Sequence, residues 1–229
     1  MTPSDPVLSA TALTRVFSTR AGQVTACRDV DLEVFAGELV VIRGPSGSGK
    51  TTLLNLLGGL DRPTAGSVRI DGRDLGGMGE PELTELRRHR LGQVFQSFAL
   101  LPMLSAAENV EIPLRIGRMA PRLREVRVRQ VLTQVGLAEQ ADQRPFELSG
   151  GQQQRVGVAR ALVAQPGILL ADEPTGQLDS GTASAIMDLI GELVTEQGIA
   201  AVITTHHPPL MQRASRLLDI RNGRVTAGG

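Results

Sequence analysis

Tryptophan and tyrosine are absent from this 229-residue chain and phenylalanine occurs five times, so the aromatic platforms on which single-stranded nucleic acids stack are missing. The 24 basic residues are balanced by 24 acidic ones, which leaves no general positive field to attract a polyanion. Nucleic acid is not expected as a direct partner. A single cysteine, Cys27, excludes an internal disulfide, and with no cluster of Cys and His around it, it reads as a small core residue. No apolar run approaches the ~18 residues of a membrane-spanning helix, and Met1 to Ala10 has neither the basic nor the apolar region of a signal peptide. The expectation is a cytosolic chain with no anchor of its own. Its length suits one large domain, or a core with a subdomain, burying roughly 70% of the unfolded surface.

Lysine is as scarce as cysteine. Lys50 is the only one, every other basic residue being arginine, which suggests that at this position a compact ammonium cannot be exchanged for a planar fork. It lies in Gly44-Pro45-Ser46-Gly47-Ser48-Gly49-Lys50-Thr51, followed by Thr52, and this segment fits the phosphate-binding loop G-x-x-x-x-G-K-[ST]. Its glycines let backbone N–H groups converge on phosphate oxygens. The helix opening at Gly49 adds its positive end, Lys50 reaches the β- and γ-phosphates, and the Thr51 hydroxyl can ligate Mg²⁺. The context agrees: Leu39-Val40-Val41-Ile42 reads as a strand buried on both faces, and Leu53, Leu54, Leu56, Leu57 and Leu60 mark a buried helix. Strand, glycine loop and helix together predict a nucleoside triphosphate site.

Residues 7 to 42 carry short alternating runs that suggest antiparallel strands. Val68-Arg69-Ile70 with Asp71-Gly72, and Leu217 to Ile220 with Asn222-Gly223 and Arg224-Val225, read as two tight hairpins expected in a side sheet. From Pro81 to Val163 the pattern is helical, with Gly136 as a stop. Ile168-Leu169-Leu170-Ala171 and Ala200-Ala201-Val202-Ile203 then read as buried parallel strands flanking a helix from about Gly181 to Gln197 that ends at Gly198.

At the carboxyl end of the Ile168–Ala171 strand, where ligands meet an open α/β sheet, stand Asp172 and Glu173. The first is placed to hold Mg²⁺ beside a triphosphate, the second to orient or deprotonate an attacking water. In Leu148-Ser149-Gly150-Gly151-Gln152, Ser149 is a good N-cap, and two glycines beside unpaired helix N–H groups make a second anion site. Two such helix ends make most sense facing each other across a dimer.

With these segments in hand the chain resembles the ATP-binding subunit of an ATP-binding-cassette transporter, whose signature is Leu-Ser-Gly-Gly-Gln. The resemblance runs from about residue 7 to 226. It implies an α/β P-loop NTPase (RecA-like) core with a mainly parallel sheet, an antiparallel β side sheet and an inserted helical subdomain. In a single ATPase domain spanning 1–229, the nucleotide-binding core would take residues 7–80 and 164–229 and the helical part residues 97–163. It implies ATP and Mg²⁺ as ligands and a homodimer in which each ATP lies between one subunit's phosphate loop and the other's Ser149, Gly150, Gly151 and Gln152. Gln96 then matches the glutamine that contacts Mg²⁺ and water, Gly176-Gln177-Leu178-Asp179 the loop that crosses the dimer, and His206 the switch histidine that senses the γ-phosphate. Phe17 takes the place of the aromatic residue that stacks on adenine, where the family more often has Tyr; by itself it would read as core. Gln177 and His207 depart from the usual residues of the family.

Leu56-Leu57-Gly58-Gly59-Leu60-Asp61-Arg62-Pro63-Thr64 and Val94-Phe95-Gln96-Ser97-Phe98 with Leu101-Pro102 resemble the branch of lipoprotein-releasing and macrolide-exporting systems. That branch implies a peripheral ATPase on the cytoplasmic face of a bacterial inner membrane, paired with an integral-membrane permease subunit that has a large extracytoplasmic domain. The stretch from Gln96 to Asn109, apolar at Phe98, Leu100, Leu101, Met103 and Leu104, would receive the partner's coupling helix, or else pack on its own subdomain. Arg115, Arg118, Arg122, Arg124, Arg127 and Arg129 read as a solvated helix face beside Glu111 and Glu125. Two other readings stand beside transport: a cassette that regulates a cell-envelope or division enzyme through a membrane partner, and a small-molecule kinase, which would have no use for Ser149.

Overall fold

The computed structural model describes residues 5–20, 22–176, 178–205 and 211–228. In chain order the strands and helices are β1 (Leu8–Thr19), β2 (Gly22–Val34), β3 (Leu39–Arg43), α1 (Lys50–Leu57), β4 (Ala65–Ile70), β5 (Arg73–Asp74), α2 (Glu80–Arg90), β6 (Leu91–Val94), α3 (Ala106–Ile116), α4 (Pro121–Gln134), α5 (Gly150–Leu162), β7 (Ile168–Asp172), α6 (Ser180–Gln197), β8 (Ala200–Thr204), β9 (Arg216–Arg221) and β10 (Arg224–Ala227). A six-stranded sheet runs β10-β9-β3-β8-β7-β6, and a four-stranded antiparallel sheet runs β2-β1-β4-β5. In the larger sheet β9, β3, β8, β7 and β6 are parallel and only β10 is antiparallel. The α/β core with an antiparallel side sheet is as the sequence predicts.

Side chains alternate across the central strands, and each face has its own core. Leu39, Val41, Val94, Leu169, Ala171, Ala201 and Ile203 meet α3, α5 and α6. Val40, Ile42, Ile168, Leu170, Ala200 and Val202 meet α1, α2 and the side sheet. Because both faces are covered, β3, β7 and β8 read in sequence as continuous apolar runs. Helices stop where Gly136 (φ 68°) and Gly198 (φ 67°) turn left-handed, the C-terminal device that glycine allows.

Two expectations are corrected. The β9–β10 hairpin does not join the side sheet: β9 pairs parallel with β3, with Val41 opposite Leu217 and Ile42 opposite Leu218. Only Leu218 and Ile220 are buried in β9, while Asp219 points away to take a two-pronged bond from Arg43 at 2.8 and 3.0 Å. That half-buried alternation is what a strand near a sheet edge shows, and it imitates a side-sheet strand. Within the stretch read as helical, β6 forms the other edge of the main sheet. It contains Gly92, where a Cβ would stand 2.5 Å from the Ala161 carbonyl oxygen, so α5 presses on it too closely for an apolar side chain.

The arginine-rich face is laced with ion pairs: Arg115 and Arg124 reach Glu111, and Arg129 reaches Glu125. Arg127 departs from the solvated pattern, its Nε donating to the Val163 carbonyl at 3.1 Å.

Candidate functional site

The loop of residues 44–49 leaves the carboxyl end of β3 and feeds α1. Gly47 (φ 76°) and Gly49 (φ 108°) lie in the left-handed region that glycine tolerates. A Cβ on Gly49 would stand 2.1 Å from the Ala26 carbonyl oxygen, and one on Gly44 2.3 Å from that of Ile220, whereas at Gly47 nothing lies within 4 Å. The loop is pressed from behind by β2 and β9 and open in front. Gly223, in the β9–β10 turn, donates its N–H to the Ser48 carbonyl at 3.1 Å.

Lys50 is 8% exposed. Its Nζ donates to the carbonyls of Gly44 (2.8 Å) and Pro45 (3.1 Å) and lies 3.5 Å from Glu173 Oε1. A buried cation thus meets a buried carboxylate at the mouth of the glycine loop. The Thr51 hydroxyl donates to Asp172 Oδ2 and the Thr204 hydroxyl to Asp172 Oδ1, both at 2.6 Å. Glu173 N donates to both the carbonyl (3.0 Å) and hydroxyl (3.1 Å) oxygens of Thr204. Strand β8 lies between β3 and β7 and thereby fixes both carboxylates. Glu173 itself has φ 46°, a left-handed backbone on a side-chain-bearing residue of the kind that persists where surroundings enforce it.

These groups share an open cleft of about 550 Å³ lined by Gly44–Gly47, Gly49, Lys50, Thr51, Thr52, Gln96, Asp172 and Glu173, together with Val24, Thr25 and Ala26. Sequence reasoning missed the last three as site residues; β2 carries them there, with the Ala26 carbonyl pressed on Gly49 and Val24 opposite Phe17 of β1. Phe17 is 36% exposed and stands beside Val24 rather than among the lining residues. Arg15 lies over its ring, 4.5 Å from the centroid, held by two bonds to Asp61 at 2.8 and 2.9 Å. Behind the loop, the Cys27 thiol is 3.9 Å from the Gly49 carbonyl oxygen, and burial pushes its pKa up to about 11.

Ser149, Gly150, Gly151 and Gln152 are not brought into this cleft. Ser149 caps α5, its Oγ accepting from Gln152 N at 3.3 Å while Gln152 Oε1 accepts from Ser149 N at 2.8 Å. Ser149 and Gly150 are exposed. Asp179 caps α6 through Thr182 N at 3.0 Å, and those bonds hold its carboxyl below the usual carboxylate range. His206, with Gln177 and His207, lies outside the described residues.

The donors beside the phosphate loop suit a small hard cation. The Thr51 hydroxyl, the Asp172 carboxylate and the Gln96 amide border one cleft, and Thr51 and Asp172 already touch; oxygen ligands in such small number are what Mg²⁺ takes from protein when phosphates supply the rest.

A glycine loop after a central parallel strand, with paired carboxylates two strands away, defines a P-loop nucleotide-binding cassette. Residues 27–176 match the ABC transporter family, and the chain belongs to that family. It is 45% identical over 222 residues to the lipoprotein-releasing system ATP-binding protein LolD 2 of Caulobacter vibrioides, covering 97% of both chains. It is 44% identical over 220 residues to the macrolide export ATP-binding/permease protein MacB of Marinobacter nauticus, covering 96% of this chain and 34% of that one. The solved dimer of the ATP-binding cassette MJ0796 in a post-hydrolysis state, bound to ADP and Pi, superposes with a TM-score of 0.91 at 41% identity, covering 95% of this chain and 96% of that one. This chain is therefore an ATP-binding, ATP-hydrolysing cassette of the ABC transporter type.

Proposed function

We propose that two copies of this cassette close head to tail on ATP and Mg²⁺, at the cytoplasmic face of a bacterial inner membrane. Hydrolysis would power export, or force transmission to an extracytoplasmic domain, through an integral-membrane permease subunit. The observation that carries this reading is the division of labour within one chain. Lys50, Thr51, Asp172 and Glu173 meet around a single cleft, while the Ser149 end of α5 is exposed and faces none of them.

In this scheme the loop N–H groups and Lys50 bind the β- and γ-phosphates, Lys50 leaving its carbonyl partners for them. Glu173 Oε1 accepts the proton of the attacking water, or aligns it in line with the γ-phosphorus; His206 holds the attack geometry, and Gly176 to Asp179 form the loop that crosses to the second copy. Bound Mg²⁺ would neutralise phosphate charge from Thr51, Asp172 and Gln96. Ser149 to Gln152 of the second copy would complete the electrostatic cage, which is where most catalysis of phosphoryl transfer originates. The permease reading is supported by the apolar surface after Gln96: Leu101 is 51% and Met103 82% exposed. Buried Asn109 holds this loop in shape, donating to the carbonyls of Leu101, Leu104 and Ser105 and accepting from Leu101 N.

Glu173→Gln tests the assignment. Turnover should fall roughly 10²–10⁴-fold, the weight of a lost general base, while ATP binding persists and ATP drives a stable dimer visible by sedimentation. Near-normal hydrolysis in this variant would remove Glu173 from its role.

A further inference from the structure

Beside the cleft, β1 is irregular. Its pairing with β2 slips between Leu13 and Arg15 and again between Arg15 and Val16, and such bulges re-aim side chains. Past the slip, the Arg15 guanidinium stands over the Phe17 ring, 4.5 Å from its centroid. A long side chain at the surface ordinarily wanders, but this one is tied. Asp61, in the loop that leaves α1, accepts from Arg15 Nε at 2.8 Å and from Nη2 at 2.9 Å, a paired geometry that fixes the plane of the guanidinium as well as its position. The same loop is stitched to β1 beside the arginine: Val16 N donates to Thr64 Oγ1 at 3.0 Å, and Thr64 N to the Thr14 carbonyl at 2.8 Å. The loop is seated in turn on the helix, Leu60 N and Asp61 N both donating to the Asn55 carbonyl, at 2.8 and 3.3 Å. Helix α1 has eight residues and is therefore about 12 Å long. It starts at Lys50 and carries, past its other end, the clamp on the stretch of β1 that bears Phe17. Phe17 belongs to neither hydrophobic core, and Val24 opposite it borders the cleft. So much fixing of an aromatic ring outside the cores suits a surface that a ligand meets.

We infer that Arg15 is a positioning residue for the base of the nucleotide: clamped by Asp61, it holds the Phe17 ring as a preset platform for the purine. The helix that presents the phosphate loop at one end thereby sets the place of the base from the other. A cation over one face of a ring leaves the second face to a flat π-system, and a ring already held loses little freedom when the base arrives. The inference rests on the ATP site proposed above, with Phe17 beside it.

The test titrates the full chain by calorimetry with Mg²⁺-ATP and with Mg²⁺-tripolyphosphate, which offers the phosphates without a base. Phe17→Ala sets the scale: ATP affinity should fall about tenfold, the weight of one stacked base, with tripolyphosphate affinity held within about twofold. Arg15→Leu keeps an apolar cover on the ring and loses the tie to Asp61. It should lower ATP affinity about three- to fivefold and again spare tripolyphosphate. Arg15→Lys should recover part of the loss, keeping the cation without the two-pronged tie. Asp61→Asn, which loosens the guanidinium and preserves the shape of the loop, should give a smaller loss of the same kind, and it decides the matter if Arg15→Leu does not fold. Unchanged ATP affinity in both Arg15→Leu and Asp61→Asn overturns the inference. So do equal losses for the two ligands, which would make Arg15 a general support of the fold. ATP affinity untouched by Phe17→Ala would instead overturn the platform on which the inference rests, and an unsubstituted chain that binds neither ligand would overturn the ATP site itself.

Discussion

The N-terminus of α1 is walled in by β2 and β9 and is furnished with a buried lysine, a buried glutamate and a buried aspartate, whereas that of α5 stands at the surface, capped by its own Ser149 and Gln152. Both ends offer unpaired N–H groups and the positive pole of a helix to an anion. The first has the charge, the acid and the carboxylates within the same chain. The second has a donor geometry and nothing to act upon. One end is furnished to grip a phosphate unaided, and the other to finish a site that begins on another molecule.

Lys50→Ala presses hardest on this contrast. It removes the buried cation of the first site, and ATP affinity of the single chain should fall about 10- to 100-fold, the weight of a charge-assisted bond; an unchanged affinity by calorimetry would erase the distinction between the two ends. Ser149→Ala should separate them in the opposite sense. ATP affinity of the single chain should hold, turnover at high protein concentration should drop roughly tenfold, the weight of one hydrogen bond to a charged group, and thermal stability should fall by about 1 kcal/mol through the lost cap. Equal losses of affinity and turnover would contradict the division.

The smallest expected effect concerns the wall behind α1. A thiol with its pKa pushed up to about 11 should react slowly with iodoacetamide at pH 8 and rapidly once urea opens the fold. Because the folded thiol holds its proton more tightly than the ordinary value of about 8.5, the associated stability is intact below that pH and is lost as pH rises toward 11. Rapid native-state alkylation of Cys27 would show that the wall opens.

Much of the first site was legible from sequence because its constraints are local. Gly47 and Gly49 take a left-handed backbone inside the loop itself, the spacing to Lys50 marks Gly44, and Leu39–Ile42, Ile168–Ala171 and Ala200–Ile203 are apolar because both faces of the sheet are covered. The same locality made Ser149 readable as a cap. Val24, Thr25 and Ala26 were not legible as site residues, because nothing in their chemistry says they border the cleft; the packing of β2 against Gly49 and Gly223 decides it. β6 was hidden by Gly92, whose smallness serves the approach of Ala161. The C-terminal hairpin was assigned to the wrong sheet because pairing across a gap of 176 positions, as between Arg43 and Asp219, leaves no mark on local patterning.

The same hairpin has a consequence for the order in which the molecule can be made. Ser48 is held by Gly223, and Gly44 is fitted against Ile220, so a loop synthesised early has its backing supplied far downstream. Contacts of such separation form late and carry a large closure entropy. A chain emerging from the ribosome should therefore carry its nucleotide loop unfinished until residues 216–227 have followed, and cellular ATP, abundant throughout synthesis, would bind only after the rest of the fold is in place.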